Sequence, residues 1–187
     1  MKRPKALLLT PGASANRNQP ALVALDEALT AKGIVVERMN FPYTDAGRRA
    51  PDRPPVLIQA VRDGAAALTK KAKTRASSVA LGGRSMGGRM CSMAVADGFP
   101  AAALVLISYP LHPPGKPDQL RVEHFPSIEV PCLFVSGTRD AFGSPDELER
   151  ATKAIKGAVT HIWIDGGDHG LRHKDKFVVA AVGSWLS

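Results

Sequence analysis

Cysteine is almost absent: Cys91 and Cys132 are the only two in the chain. Two thiols give no disulfide framework, and their spacing matches no metal motif. Cys91 falls in an expected helix and Cys132 in an apolar strand. Both are therefore expected as buried free thiols, and a reducing cytoplasm follows as the expected location. Aromatic residues are also scarce, at 5%, and none is interleaved with the basic clusters Lys2-Arg3-Lys5 and Lys70-Lys71-Lys73-Arg75. The net charge of +8 is thus read as a solvated basic face rather than a nucleic-acid surface. The first cluster is expected to be a frayed terminus, and the second to end a helix, where cations suit the dipole. No apolar run approaches the ~18 residues of a membrane span. The opening stretch, Met1 to Leu9, briefly imitates a signal peptide, but Thr10-Pro11-Gly12 cuts its apolar part short. It reads as a basic lead-in to the first strand. There is no G-x-G-x-x-G, and glycine-rich 82–88 lacks the Lys-Ser/Thr ending of a phosphate loop. No nucleotide, metal or other cofactor is expected.

What is present is a rhythm. Short runs, apolar on nearly every residue, alternate with amphipathic segments. Strands are expected at 6–10, 34–39, 78–81, 102–108, 132–135 and 161–164. Runs without polar alternation are the pattern of parallel strands buried on both faces. Helices are expected at 21–32, 55–71, 89–96, 144–156 and 174–186. The helix from 144 opens on Ser144-Pro145-Asp146-Glu147, a capping box with proline at the first helical position. This order predicts one domain over 1–187, an α/β three-layer α/β/α sandwich on a six-stranded, mainly parallel sheet. Two irregular stretches, 40–54 and 109–131, are rich in proline. Both follow strands, so both belong at the C-terminal edge of the sheet, where open α/β folds bind ligands.

The most informative residues are Gly83-Arg84-Ser85-Met86-Gly87. They form G-x-S-x-G between an apolar run and a helical segment. In that context a strained turn lifts the serine hydroxyl into the open. A serine needs a base, and the base needs an orienting acid. Asp140 follows one later strand and His169 the next, in the order Ser, Asp, His. Strands of a parallel sheet end on one edge, so Ser85, His169 and Asp140 can converge as nucleophile, general base and orienting acid. Asp165 and Asp168 are rivals for the acid, but they lie beside His169 in sequence instead of on an adjacent strand. His173 is a second choice for the base. Acyl transfer also needs donors for the developing oxyanion. These are expected from the backbone N–H of Met86 and, in the loop after the first strand, of Ala13. Tyr109, Leu111 and His112 are candidates to line the pocket, with a packed loop as the alternative. Arg84 is expected to pair with a carboxylate of the fold, a substrate acid being the other reading.

The chain resembles the α/β-hydrolase superfamily over essentially its whole length. More narrowly it is similar to the small lidless branch that includes dienelactone-hydrolase-like and testis-expressed protein 30-like proteins. The stretches that carry the resemblance are Gly82 to Gly88, Tyr109-Pro110-Leu111-His112-Pro113-Pro114-Gly115-Lys116 and Phe134-Val135-Ser136-Gly137-Thr138-Arg139-Asp140. It implies a minimal hydrolase fold without a lid domain and without the superfamily's two leading antiparallel strands. It also implies that Arg84 belongs to the branch's pattern. Pro11-Gly12 stands where the superfamily often has His-Gly. Ser85 stands where dienelactone hydrolase proper has cysteine, so that enzyme's substrate does not carry over.

These readings converge on a serine hydrolase acting on a small-molecule acyl substrate, an ester or thioester, through an acyl-enzyme. The loop 109–131 is too short for a lid domain, so an open, shallow site is expected, unsuited to long acyl chains. The branch includes members assigned to protein complexes. A non-catalytic binding or scaffold protein on the same fold is therefore the second reading, with protein partners left open. A serine peptidase is the third, and no subsite for a peptide backbone is identifiable.

Overall fold

Six strands, β1 Ala6–Thr10, β2 Val35–Arg38, β3 Val79–Arg84, β4 Leu104–Ile107, β5 Cys132–Gly137 and β6 Val159–Ile164, form one sheet in a computed structural model that describes residues 3–187. Met1 and Lys2, the start of the basic lead-in, lie outside the described residues. The strand order is β2-β1-β3-β4-β5-β6 and every pairing is parallel. The helices are α1 Pro20–Thr30, α2 Pro42–Asp45, α3 Pro54–Lys71, α4 Met86–Ala96, α5 Pro145–Thr152 and α6 Asp175–Trp185.

Side chains alternate across each strand, so the central strands feed two cores. On one face Leu8, Leu81, Leu106 and Phe134 meet Leu57, Val61 and Leu68 of α3, Met90 and Ala94 of α4, and Leu148 of α5. On the other, Leu7, Leu9, Val105 and Val135 meet Leu22, Leu25 and Leu29 of α1 and Val178 and Val182 of α6. Each fully buried Leu or Val contributes about 1.5–3 kcal/mol, and burial on both faces is why these strands carry no polar alternation. The result is the expected three-layer α/β/α sandwich. It has no antiparallel strand among the described residues, and only a single 3-10 turn, Phe125–Ser127, between β4 and β5.

The chain leaves β1 in one direction to form β2 and returns past it to form β3. With right-handed crossovers this places α1 on one face and α3 on the other. The crevice at the ends of β1 and β3 is the topological switch point where such sheets hold ligands.

The boundaries shifted in informative places. β3 runs through Gly82, Gly83 and Arg84, beyond its expected end at Leu81, because the glycines are needed inside the strand. A Cβ on Gly83 would collide with Thr10 Oγ1, and one on Gly87 would sit 2.5 Å from the carbonyl oxygen of Pro11. The close approach of β3, β1 and α4 thus excludes side chains at both ends of the motif. α4 starts at Met86, directly after the turn, and not at Arg89. α5 has the expected capping box at Ser144 and Glu147 but ends at Thr152. There the chain turns so that Lys156 and Gly157 donate their N–H groups to Ile128 O at 3.0 and 3.1 Å. A short helix, α2, occupies part of the stretch 40–54 and buries Tyr43.

Candidate active site

Ser85 sits between β3 and α4 with φ 52° and ψ −120°, a left-handed conformation that costs a non-glycine residue energy. Two features hold it there. The Ser85 N–H donates to Ile107 O at 2.8 Å, and Arg89 N–H closes the first turn of α4 on Ser85 O at 3.1 Å.

The loops after β5 and β6 are laced together. Thr138 N–H donates to Ile164 O at 3.1 Å and Arg139 N–H to Gly167 O at 2.9 Å. Gly166 N–H donates to Thr138 Oγ1 at 2.9 Å. This lacing brings Asp140 to His169. Asp140 Oδ1 and Oδ2 lie 3.0 and 2.9 Å from His169 Nδ1, and Oδ1 also accepts the Phe142 N–H at 2.8 Å. The Asp140 side chain is 2% exposed and that of His169 19%. Both oxygens of this buried carboxylate thus lie within hydrogen-bond distance of a nitrogen. Asp140 accepts a hydrogen bond from Nδ1–H, and with the proton held on Nδ1 the lone pair of Nε2 faces outward. Ser85 Oγ stands 2.8 Å from that Nε2. The Phe142 ring stacks on the imidazole at a centroid distance of 3.9 Å and limits its rotation. Asp165 accepts from Thr138 Oγ1 at 3.4 Å, and neither it nor Asp168 is hydrogen-bonded to His169.

A cavity of about 440 Å³ opens over Ser85. Ala13, Met86 and His169 line it, together with Arg84, Arg89, Arg121, Pro110 and Phe142. Met86 is the first residue of α4, so its N–H has no intrahelical acceptor. Ala13 is exposed in the loop after β1, where the Gly12 N–H is tied to Gln19 Oε1 at 3.2 Å. A larger depression, about 560 Å³, lies against β6 and α6 and is lined by Trp163 and Phe177. Asp165 is on its rim, but Ser85, Asp140 and His169 are not among its lining residues.

Two expectations are corrected. Tyr109, Leu111 and His112 do not line the cavity. They are 2%, 0% and 5% exposed. Tyr109 packs against Phe125 and Phe134, and its hydroxyl donates to Arg121 O at 2.7 Å. The proline-rich loop folds back into the core because its apolar residues gain more there than at the surface. It presents Pro110 and Arg121 to the cavity instead. Arg84 does not pair with a carboxylate. Its Nη2 donates to the carbonyl oxygen of His169 at 2.6 Å. Burial lowers its pKa, and the more distant charges of Asp140, Asp168 and Asp175 oppose that.

Arg89, Arg121 and Phe142 were missed in the sequence. Arg89 had a signal, since it lies one helical turn after Ser85 and so on the same helix face. Phe142, two residues after Asp140, had a weak one, and Arg121 had none. The cysteines are buried and free as expected. Burial pushes both thiols up to about 12, so neither competes as a nucleophile.

The sequence model of the alpha/beta hydrolase domain matches residues 3–180. Among solved structures, dienelactone hydrolase from Anabaena variabilis aligns with a TM-score of 0.77 at 17% identity, over 98% of this chain and 86% of that one. Est1E from Butyrivibrio proteoclasticus gives 0.75 at 16%, over 100% and 88%. An α/β serine hydrolase without lid from Xanthomonas campestris gives 0.71 at 18%, over 100% and 84%. At these identities the likeness is one of fold. No helix among the described residues is long and apolar enough to cross a membrane.

Proposed function

The chain belongs to the alpha/beta hydrolase family, and from that premise we propose that it is a serine hydrolase of small esters or thioesters. One observation carries the reading. Ser85 Oγ, His169 Nε2, His169 Nδ1 and Asp140 form an unbroken line of contacts of 2.8 to 3.0 Å. It opens on a cavity at the C-terminal edge of the sheet.

In this reading His169 Nε2 takes the Ser85 proton as Oγ attacks the acyl carbon. Asp140 holds the imidazole in the right tautomer and stabilises the imidazolium. The carbonyl oxygen becomes an oxyanion, met by the N–H groups of Met86 and Ala13 at the positive end of α4. His169 then gives its proton to the leaving group as the C–O or C–S bond breaks. Water repeats the sequence on the acyl-enzyme and frees Ser85. Tyr109, Leu111, Phe125 and Ile128 of the loop 109–131 are buried in the core, and the loop places Pro110 and Arg121 at the cavity without covering it, which favours short acyl groups. A scaffold protein has no use for a strained serine aligned with a histidine, so the geometry favours catalysis over the binding-only reading.

The test is covalent labelling. A fluorophosphonate probe is expected to modify Ser85, located by mass spectrometry, and to do so far more slowly in His169→Ala. Folded protein that takes no label on Ser85 would sink the enzyme reading.

A further inference from the structure

The lining of the cavity over Ser85 carries cationic side chains and no acidic one. The cations are Arg84, Arg89 and Arg121. Arg84 is engaged with the His169 carbonyl, which leaves two guanidinium groups uncommitted. Among the described residues neither Arg89 nor Arg121 forms an ion pair or donates a side-chain hydrogen bond, and Arg89 Nε is buried with no partner. Both side chains are half-buried. They are also close enough to repel: after burial, the charge of Arg89 is the next cause lowering the Arg121 pKa. Glu123, the acid nearest in sequence to Arg121, is exposed and pairs with neither.

Stability alone does not explain this arrangement. Half-buried like charges cost free energy unless a counter-charge meets them. Arg89 also lies in the first turns of α4, where the helix dipole disfavours a cation. The backbone of Arg121 is nevertheless pinned from two sides, by its N–H to Leu111 O at 2.9 Å and by Tyr109 Oη to its carbonyl at 2.7 Å. That pinning fixes where the side chain starts. Guanidinium pairs suit oxyanions because their planar donors meet carboxylate or phosphate oxygens two at a time.

Resting on the serine-hydrolase reading above, we infer that the substrate is an anionic ester or thioester whose carboxylate or phosphate is bound by Arg89 and Arg121. Arg89 stands one turn after Ser85 and the cavity is small, so the charge lies a short spacer away from the acyl carbon. The two arginines select the substrate, and Ser85 cleaves it.

The test compares 4-nitrophenyl hydrogen glutarate with 4-nitrophenyl pentanoate, matched in acyl length and differing in charge. A second pair, 4-acetoxybenzoate and phenyl acetate, places the charge on the leaving group. One charged ester is expected to exceed its neutral partner in kcat/KM by roughly 10- to 100-fold, the range of charge-assisted hydrogen bonds. That ratio is expected to fall toward one in Arg89→Gln/Arg121→Gln and with added salt. Calorimetric titration with glutarate and with inorganic phosphate reads anion binding without turnover and separates carboxylate from phosphate preference. Anion binding that disappears in the folded double variant upholds the two-arginine anion site even when neither ester is cleaved, and the fluorophosphonate label on Ser85 then decides separately whether the hydrolase reading fails. Equal rates within both ester pairs, with no arginine-dependent anion binding, overturn it.

Discussion

Arg84, the residue immediately before Ser85, donates from Nη2 to the carbonyl oxygen of His169 at 2.6 Å. The two loops that must meet are therefore joined twice, once between the Ser85 and His169 side chains and once from Arg84 to the His169 backbone. The second link fixes where the His169 backbone sits and leaves the ring nitrogens to Ser85 and Asp140.

Arg84→Met removes that link and keeps much of the side chain's volume. We expect kcat on a neutral nitrophenyl ester to fall roughly tenfold with KM little changed, the signature of misplaced catalytic groups. A stability loss of about 1–2 kcal/mol should accompany it. Steady-state kinetics and urea unfolding read both quantities, and unchanged kcat would show that His169 is positioned without Arg84.

The role proposed for Asp140 is tested by comparison among carboxylates. Asp140→Asn is expected to lower kcat by roughly 10⁴-fold, as loss of the orienting acid does in serine proteases. Asp165→Asn and Asp168→Asn should each stay within about threefold of the parent, because neither contacts the imidazole. A large loss in Asp168→Asn with Asp140→Asn active would move the role to the rival.

The turn is expected to be intolerant of a single methyl. In Gly83→Ala the new Cβ meets Thr10 Oγ1 and the Thr10 backbone, so β1 and β3 must separate. A loss of at least about 3 kcal/mol is expected, at the upper end of overpacking costs. Thermal unfolding should show it as a fall in Tm. Gly98→Ala is the control: its Cβ would meet no atom within 4 Å, leaving only the strain of its φ of 86°.

A pH effect on stability is expected at His124, away from the reacting atoms. Burial, then the charge of Arg89, lowers its pKa from 6.5 to about 4, while Ser92 Oγ lies 2.8 Å from its Nε2. The folded-state value lies below the unfolded one, so on acidification the unfolded chain takes up the proton first. Stability is then lost as pH falls from 6.5 toward 4 and is fully present above that window. Urea unfolding across this range should show a shallower fall for His124→Gln than for the parent. Parallel curves would mean that His124 titrates normally in the folded protein.

Much of the fold was legible because its signals are local. The all-apolar runs at Leu7-Leu8-Leu9 and Val105-Leu106-Ile107 require burial on both faces, and that alone implies a parallel sheet between helix layers. The capping box at Ser144 and Glu147 marked a helix start without tertiary information. The end of α5 was not legible, because Lys156 and Gly157 leave the helix for a carbonyl at Ile128, far away in sequence. The inward packing of Tyr109 was likewise hidden, since it depends on Phe125 and Phe134 being within reach.

The sequence by itself determined the layers of the sandwich and the order in which Ser85, Asp140 and His169 arrive at one sheet edge, because strand burial and strand direction follow from the periodicity of apolar residues. Only the tertiary structure decided the 2.8 Å approach of Ser85 to His169, the use of Arg84 on a backbone carbonyl, and the gathering of Arg89 and Arg121 around Ser85. Those depend on how separate loops pack, and no local pattern encodes which guanidinium will be left without a partner.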